Sequence, residues 1–242
     1  STKTEANFQR EMYLKNYSGF EFNLMVNRHI RLLSKTEIPL LLGFPLPENL
    51  QVVGFESNNS ITNTGNTPWT KEKGLLSIWI LSMFNAGNKT TIAVPYKQGN
   101  ENDLGKLVTD DYFGKVPVDR LKIKNGIILL NADANYRSKI GISPKRALPI
   151  LASFDQVNEV LTIAQFSLPE FPADYVNSLW EIQENPFEGD VVNAYNDGFI
   201  DGKQMGKFYE LESSSPAATL NVGESMHHVH RTIHLKGNSN EL

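Results

Sequence analysis

Gly206-Lys-Phe-Tyr-Glu-Leu-Glu-Ser-Ser-Ser-Pro216, followed by Leu220-Asn-Val-Gly-Glu-Ser225 and His227-His-Val-His-Arg-Thr-Ile-His234, decides the fold class. Extended chain places successive side chains on opposite faces, so Phe208, Glu210, Glu212 and Ser214 share one face while Tyr209, Leu211 and Ser213 share the other. The histidine-rich segment alternates too, with His228, His230, Thr232 and His234 opposite His227, Val229, Arg231 and Ile233. Both stretches read as β-strands separated by a turn.

The same reading extends through the rest of the chain. Met12-Tyr-Leu-Lys-Asn16 and Phe20-Glu-Phe-Asn-Leu-Met-Val26 flank Tyr17-Ser-Gly19 as a hairpin, and Arg28-His-Ile-Arg-Leu-Leu33 continues the alternation. Residues 51–56, 75–84 and 90–95 are further strands. Leu121-Lys-Ile-Lys124 and Ile127-Ile-Leu-Leu130 surround Asn125-Gly126, the strongest hairpin signal in the chain. Residues 148–154 are expected to pair with 160–166 across a polar turn. No window sustains an amphipathic helix, and the 17 Gly and 12 Pro fall mainly between apolar runs. The longest stretch without strand character, 97–120, is the length of a functional or mobile loop.

These features predict one all-β domain spanning residues 1–242, with packed sheets favoured over a closed barrel. Hydrophobic residues make up 40% and charged residues 21%, the balance of a folded globular chain. The formal net charge of −4 and the absence of a Lys/Arg stripe argue against a nucleic-acid partner. No run of 18 apolar residues occurs, so no membrane-spanning helix is expected. Zero cysteines exclude disulfides and a thiol nucleophile. Ser1-Thr-Lys-Thr-Glu-Ala-Asn7 is too polar for a signal peptide, and a periplasmic or extracellular location fits a chain whose leader has been removed. The oligomeric state is not legible.

Glu210 and Glu212 stand roughly 7 Å apart along a strand, close enough for each charge to raise the other's pKa toward neutrality, as general acid–base work needs. A solvated strand face decorated with glutamates is the competing reading. His228 and His230 form an H-x-H pair that could hold a metal, although no specific metal-ligand spacing accompanies it, and no metal or cofactor is expected. Trp180, Asn196 and Asp197 make a polar and aromatic cluster of the kind that suits sugars, which present apolar C–H faces beside hydroxyls. Core packing for Trp180 and a plain turn for Asn196-Asp197-Gly198 are the alternatives. Asn63, Trp69 and Arg137 are isolated polar or aromatic signals. No P-loop, G-x-S-x-G or G-x-G-x-x-G motif occurs.

Phe208-Tyr-Glu-Leu-Glu212, Leu220-Asn-Val-Gly-Glu224 and the final His/Thr strand resemble the closing segment of the galactose mutarotase (aldose 1-epimerase) superfamily. There an L-E-T-Q strand precedes an L-x-P-G-E turn and a strand with H-T-T. Val192-Asn-Ala-Tyr-Asn-Asp-Gly198 is similar to its Y-T-G-N segment, and Ile61-Thr-Asn-Thr-Gly65 to its T-N-x-T-x-H stretch. Residues 61–84 and 175–237 carry most of the likeness, which looks most like a bacterial branch. The resemblance implies a β-supersandwich, a carbohydrate ligand, and Glu212 as the base that deprotonates an anomeric hydroxyl. It also implies that the chain starts after the family's opening strands, which carry a substrate-binding arginine and another histidine. No histidine lies between His29 and His227, so the family's ring-oxygen acid has no counterpart near Asn63 to Trp69. Under this reading His230 stands in as catalytic partner of Glu212 and Glu210, with His228 among the sugar-binding groups. The alternative is a non-catalytic glycan-binding or structural module of a polysaccharide-handling system.

Overall fold

The computed structural model describes residues 2–179 and 181–238. Among them are thirteen strands: β1 Glu5–Lys15, β2 Glu21–Leu32, β3 Gln51–Asn63, β4 Trp79–Asn85, β5 Thr90–Pro95, β6 Leu121–Lys124, β7 Ile127–Asn131, β8 Ser138–Ile142, β9 Ile150–Asp155, β10 Val160–Phe166, β11 Val192–Asn196, β12 Phe208–Ser214 and β13 Ser225–Lys236. Two short helices accompany them, α1 Glu37–Leu42 and α2 Glu101–Leu104. The strands form two antiparallel sheets, one of nine in the order β1-β2-β3-β13-β10-β9-β5-β7-β6 and one of four in the order β4-β12-β11-β8. The expected all-β sandwich is what the chain builds.

Local signals mostly landed in place. β1 and β2 pair through the predicted hairpin over their full length, β9 pairs with β10, and Asn125 and Gly126 take the left-handed conformations (φ 52° and 79°) of a tight turn between β6 and β7. Two strands were not foreseen. β8 and β11 lie in stretches whose polar residues read as turns and lone signals, and both turn out to be fully buried.

The small sheet packs across one face of the large one. Ile92, Ile128, Leu130, Leu151, Ala164 and Phe166 of the large sheet meet Ile140, Ile142, Ala194, Tyr209 and Leu211 of the small sheet in the main core. A second cluster, around Phe22, Trp69 and Leu220, seals the end of β2 and β3 with the chain that precedes β4 and follows β12. A third tucks α1 against Ile163, Ile233 and Leu235 on the opposite face of the large sheet. Alternation along β12 then has a fixed meaning: Tyr209, Leu211 and Ser213 point into the sandwich, whereas Glu210 and Glu212 point out of it, beneath the loops that cover the small sheet.

Candidate functional site

Strand register assembles the site on the outer face of the small sheet. Leu81, Glu212, Asn193 and Gly141 lie side by side in one row across β4, β12, β11 and β8, and Met83, Glu210, Tyr195 and Lys139 in the next. Glu212 is 0% exposed. Its Oε2 accepts from Trp79 Nε1 at 2.8 Å and from Lys139 Nζ at 3.0 Å. The buried Lys139 ammonium also stands over the Trp79 ring, 4.6 Å from its centroid, and 5.3 Å from that of Tyr112. Burial pushes the Glu212 carboxyl up, and Lys139 opposes that rise. Glu210 is raised to about 7, by burial first and by the neighbouring Glu212 charge second. The two carboxyls thus share one buried strand face, with Lys139 bonded to Glu212.

Beside them Tyr112 donates to Asp190 Oδ2 at 2.7 Å and accepts from Asn193 Nδ2 at 3.0 Å. Asp190 crosses the sheet over Gly141, where any Cβ would run into its carboxylate, so only glycine fits that position. Burial raises Asp190, and burial together with the Asp190 charge raises Tyr112. Glu212 Oε1 and Asn193 Oδ1 are buried acceptors that receive no N–H or hydroxyl hydrogen bond. They belong to residues directly opposite one another on β12 and β11. Glu210, raised to about 7, hydrogen-bonds Glu212 as a protonated carboxyl, which leaves Asn193 Oδ1 as the acceptor that calls for a donor from outside the protein.

At the other end of the face, the Arg137 guanidinium lies flat against Phe113, 3.7 Å from the ring centroid, and its Nε donates to the Tyr195 hydroxyl at 3.3 Å. Tyr195 donates in turn to Asp197 Oδ1 at 2.7 Å, and Gly206 N–H donates to Oδ2 at 3.0 Å. Burial leads the rise of Tyr195 to about 12.

Residues 175–179 and 186–189 flank the Trp79 and Tyr112 end of this face. They are joined by backbone bonds from Tyr175 N to Phe187 O, Asn177 N to Pro186 O and Gly189 N to Tyr175 O. Asn177 and Leu179 line two small cavities, one of about 210 Å³ beside Trp79 and Ser214, the other of about 100 Å³ beside Tyr112 and Asp190.

Of the sequence candidates, the structure gathers Glu210, Glu212, Arg137 and Asp197 on one face and separates the others. His228 and His230 are corrected in place: β13 belongs to the large sheet, and both rings meet the inner face of β12 through Ser213. Ser213 Oγ lies 2.8 Å from His228 Nε2 and 2.8 Å from His230 Nδ1, Ser82 Oγ lies 3.1 Å from His230 Nε2, and Ser167 Oγ lies 3.3 Å from His228 Nδ1. Desolvation lowers His228 to about 4 and His230 to about 3. Neither ring reaches Glu212, which points the opposite way. Asn63 is consumed by its own turn, donating to Thr67 O and Leu220 O and accepting from Gly65 N. Trp69 is core, edge-on to Phe22 at 5.3 Å between ring centroids. Asn196 ties the Ala134 N–H and the Tyr136 carbonyl together. Trp180 lies outside the described residues.

The residues the sequence reading missed are Trp79, Lys139, Tyr112 and Asn193, while Asp190 closes the polar and aromatic stretch 180–190 without having been singled out. Lys139 left a signal, a lone cation ahead of the apolar Ile140 and Ile142. Tyr112 left a weaker one, since it falls within the long loop 97–120. Among the described residues no three His, Asp or Glu side chains converge in a way that could hold a metal ion, and no helix is long and apolar enough to cross a membrane.

Comparison with known proteins bears on the fold. The chain is similar to the crystal structure of the Slr1438 protein from Synechocystis sp. PCC 6803, with a TM-score of 0.54 and 12% identity over 98% of this chain and 64% of that one. It thus spans less than two thirds of the length of Slr1438. A weaker likeness joins it to the crystal structure of HI1317, with a TM-score of 0.39 and 12% identity over 92% of this chain and 63% of that one. No curated protein matches it in sequence. Residues 1–242 match the profile of a family of unknown function, DUF6786, and the chain belongs to that family.

Proposed function

We propose that the outer face of the small sheet binds a carbohydrate and acts at its anomeric centre. The observation that carries this reading is the buried, hydrogen-bonded pair Glu210 and Glu212, with Glu210 raised to about 7, beside the unpartnered acceptor Asn193 Oδ1. Sugar hydroxyls supply donors to such acceptors, and Trp79 and Tyr112 supply apolar surface for the C–H faces. The C-terminal resemblance to the galactose mutarotase superfamily supports the same assignment of Glu212.

In this reading the two carboxyls divide the work because their surroundings push them apart. Glu212, held as an anion by Lys139 and Trp79, takes the proton of the anomeric hydroxyl. The C1–O5 bond breaks as the ring oxygen receives a proton from protonated Glu210, and reclosure on the other face of the carbonyl returns both protons. Glu210 thus takes the part of the ring-oxygen acid that a histidine plays in mutarotases, and Lys139 holds Glu212 as the base. Saturation-transfer NMR against free monosaccharides, followed by exchange spectroscopy between α and β anomers, tests it. Accelerated exchange lost in Glu212→Gln is the expected result; exchange unchanged in that variant sinks the assignment.

One observation favours a second reading, a glycan-binding module without chemistry. Glu212 is fully covered and ion-paired, the state of a structural anion as much as of a base. Sugar binding with anomers exchanging at the rate of free solution identifies that case.

A further inference from the structure

A cavity of about 570 Å³ lies apart from the carboxylates, between the 97–109 and 168–175 segments. That is within the range of about 300–1,000 Å³ typical of small-ligand sites. Its walls carry apolar surface from Leu168, Phe171 and Phe187, and Phe171 is 78% exposed, an aromatic ring presented to solvent at the rim. Two lining residues have buried hydroxyls with no hydrogen-bond partner, Ser143 and Tyr175, and Tyr175 is only 1% exposed. A buried hydroxyl without a partner is costly in a closed core and is satisfied where a polar ligand docks. Two of the lining residues are tied to one another by buried Arg146, which donates to the carbonyls of Lys97 and Gly105 at 2.8 to 3.0 Å.

Charge narrows the ligand. The lining holds Lys97, Lys106 and Lys145 against Glu170, Asp174 and Glu188, so the cavity has no net charge to attract a phosphate or a polyanion. Apolar wall, exposed aromatic ring, unpartnered hydroxyls and balanced charge together suit a neutral sugar ring. The cavity adjoins the small one beside Tyr112 and Asp190, since Thr109 and Glu188 line both. Thr109 further bonds through its backbone to Gly141, the glycine beneath the Asp190 carboxylate.

We infer that this cavity is a second sugar subsite, and that the ligand is a neutral oligosaccharide reaching from the carboxylate pair across Thr109 and Glu188 to Phe171. The inference rests on the carbohydrate reading above and adds chain length to it. The carboxylate end engages a terminal unit, and the cavity holds a later unit by stacking on Phe171 and by donating to or accepting from Ser143 and Tyr175.

Calorimetry with glucose, galactose and mannose and with their linear 1,4-linked di- and trisaccharides tests it on wild type, Phe171→Ala and Tyr175→Phe. Phe171 is exposed and the Tyr175 hydroxyl is unpartnered, so both variants are expected to keep the wild-type melting temperature. The expected result is a trisaccharide bound at least about tenfold tighter than its monosaccharide, a gain worth about 1.4 kcal/mol. Most of that gain should disappear in Phe171→Ala and part of it in Tyr175→Phe, with monosaccharide affinity unchanged. Equal affinity for one and three units overturns the subsite and leaves the carboxylate site standing. A length gain that survives both substitutions overturns its location. Sugars bound at no length remove the carbohydrate reading and this inference with it.

Discussion

Glu210 and Glu212 are two residues apart on one strand face, yet their surroundings differ: Glu212 has Lys139 and Trp79 on one oxygen, whereas Glu210 is raised by burial first and by its neighbour's charge second. Replacing Lys139 by Met leaves the Glu212 charge buried without its cation and is expected to cost about 3–5 kcal/mol. Adding Glu212→Gln to that variant should recover a large part, because the charge that needed the lysine is gone. Urea unfolding of the two singles and the double gives the coupling directly; strictly additive losses would show that the pair does not interact. A second test lies inside the sandwich, where Ser213→Ala strips both His228 Nε2 and His230 Nδ1 of a partner. The expected loss is about 1–3 kcal/mol by chemical denaturation, and a neutral result would mean the rings find other partners.

At the level of strands, β8 carries the tightest constraint. Gly141→Ala sets a methyl group against the Asp190 carboxylate and should displace it from Tyr112, lowering stability by about 2 kcal/mol or more and shifting the Tyr112 ring resonances in NMR. β8 and β11 also mark the limit of what the sequence could reveal. The hairpins around Tyr17-Ser-Gly19 and Asn125-Gly126 were legible because turn chemistry and period-two alternation agree there. β11, Val192-Asn-Ala-Tyr-Asn196, is buried on both faces, so alternation vanishes and its asparagines imitate a turn. For the site, Glu210 and Glu212 could be read because one strand holds both. Lys139, Tyr112 and Asp190 come from β8 and two loops, and only the sheet register and the crossing at Gly141 bring them to Glu212. The same alternation that paired the glutamates sent the histidines astray, since nothing in the sequence says that β13 faces β12 from the other sheet.

Across the whole molecule the displaced titrations act on stability in opposite directions. Glu210 keeps its proton to about pH 7 in the folded state against an ordinary value of 4.5, so the stability it contributes is lost as pH rises through that window. His228 and His230 sit at about 4 and about 3 against 6.5, so the unfolded chain takes up protons first and stability is lost as pH falls below 6.5. Asp190 and Glu212 are raised by burial as Glu210 is, and His234 is lowered like the other two rings, so the two sets oppose one another across the acid range. Glu210→Gln, neutral at every pH, is therefore expected to lose less stability than the wild type as pH rises from 4.5 to 7, and identical pH profiles by chemical denaturation would contradict the burial of that carboxyl. The row Ser82, His230, Ser213, His228, Ser167 has one more property. Ser213 owns a single proton and serves two ring nitrogens, so when it donates to one imidazole the other must donate to it. The tautomer of either ring then dictates that of its neighbour, and the row can point in only two senses, like a compass needle locked between two poles. Nitrogen-15 shifts of the two rings should switch together or not at all, and rings that change tautomer independently would break the chain at Ser213.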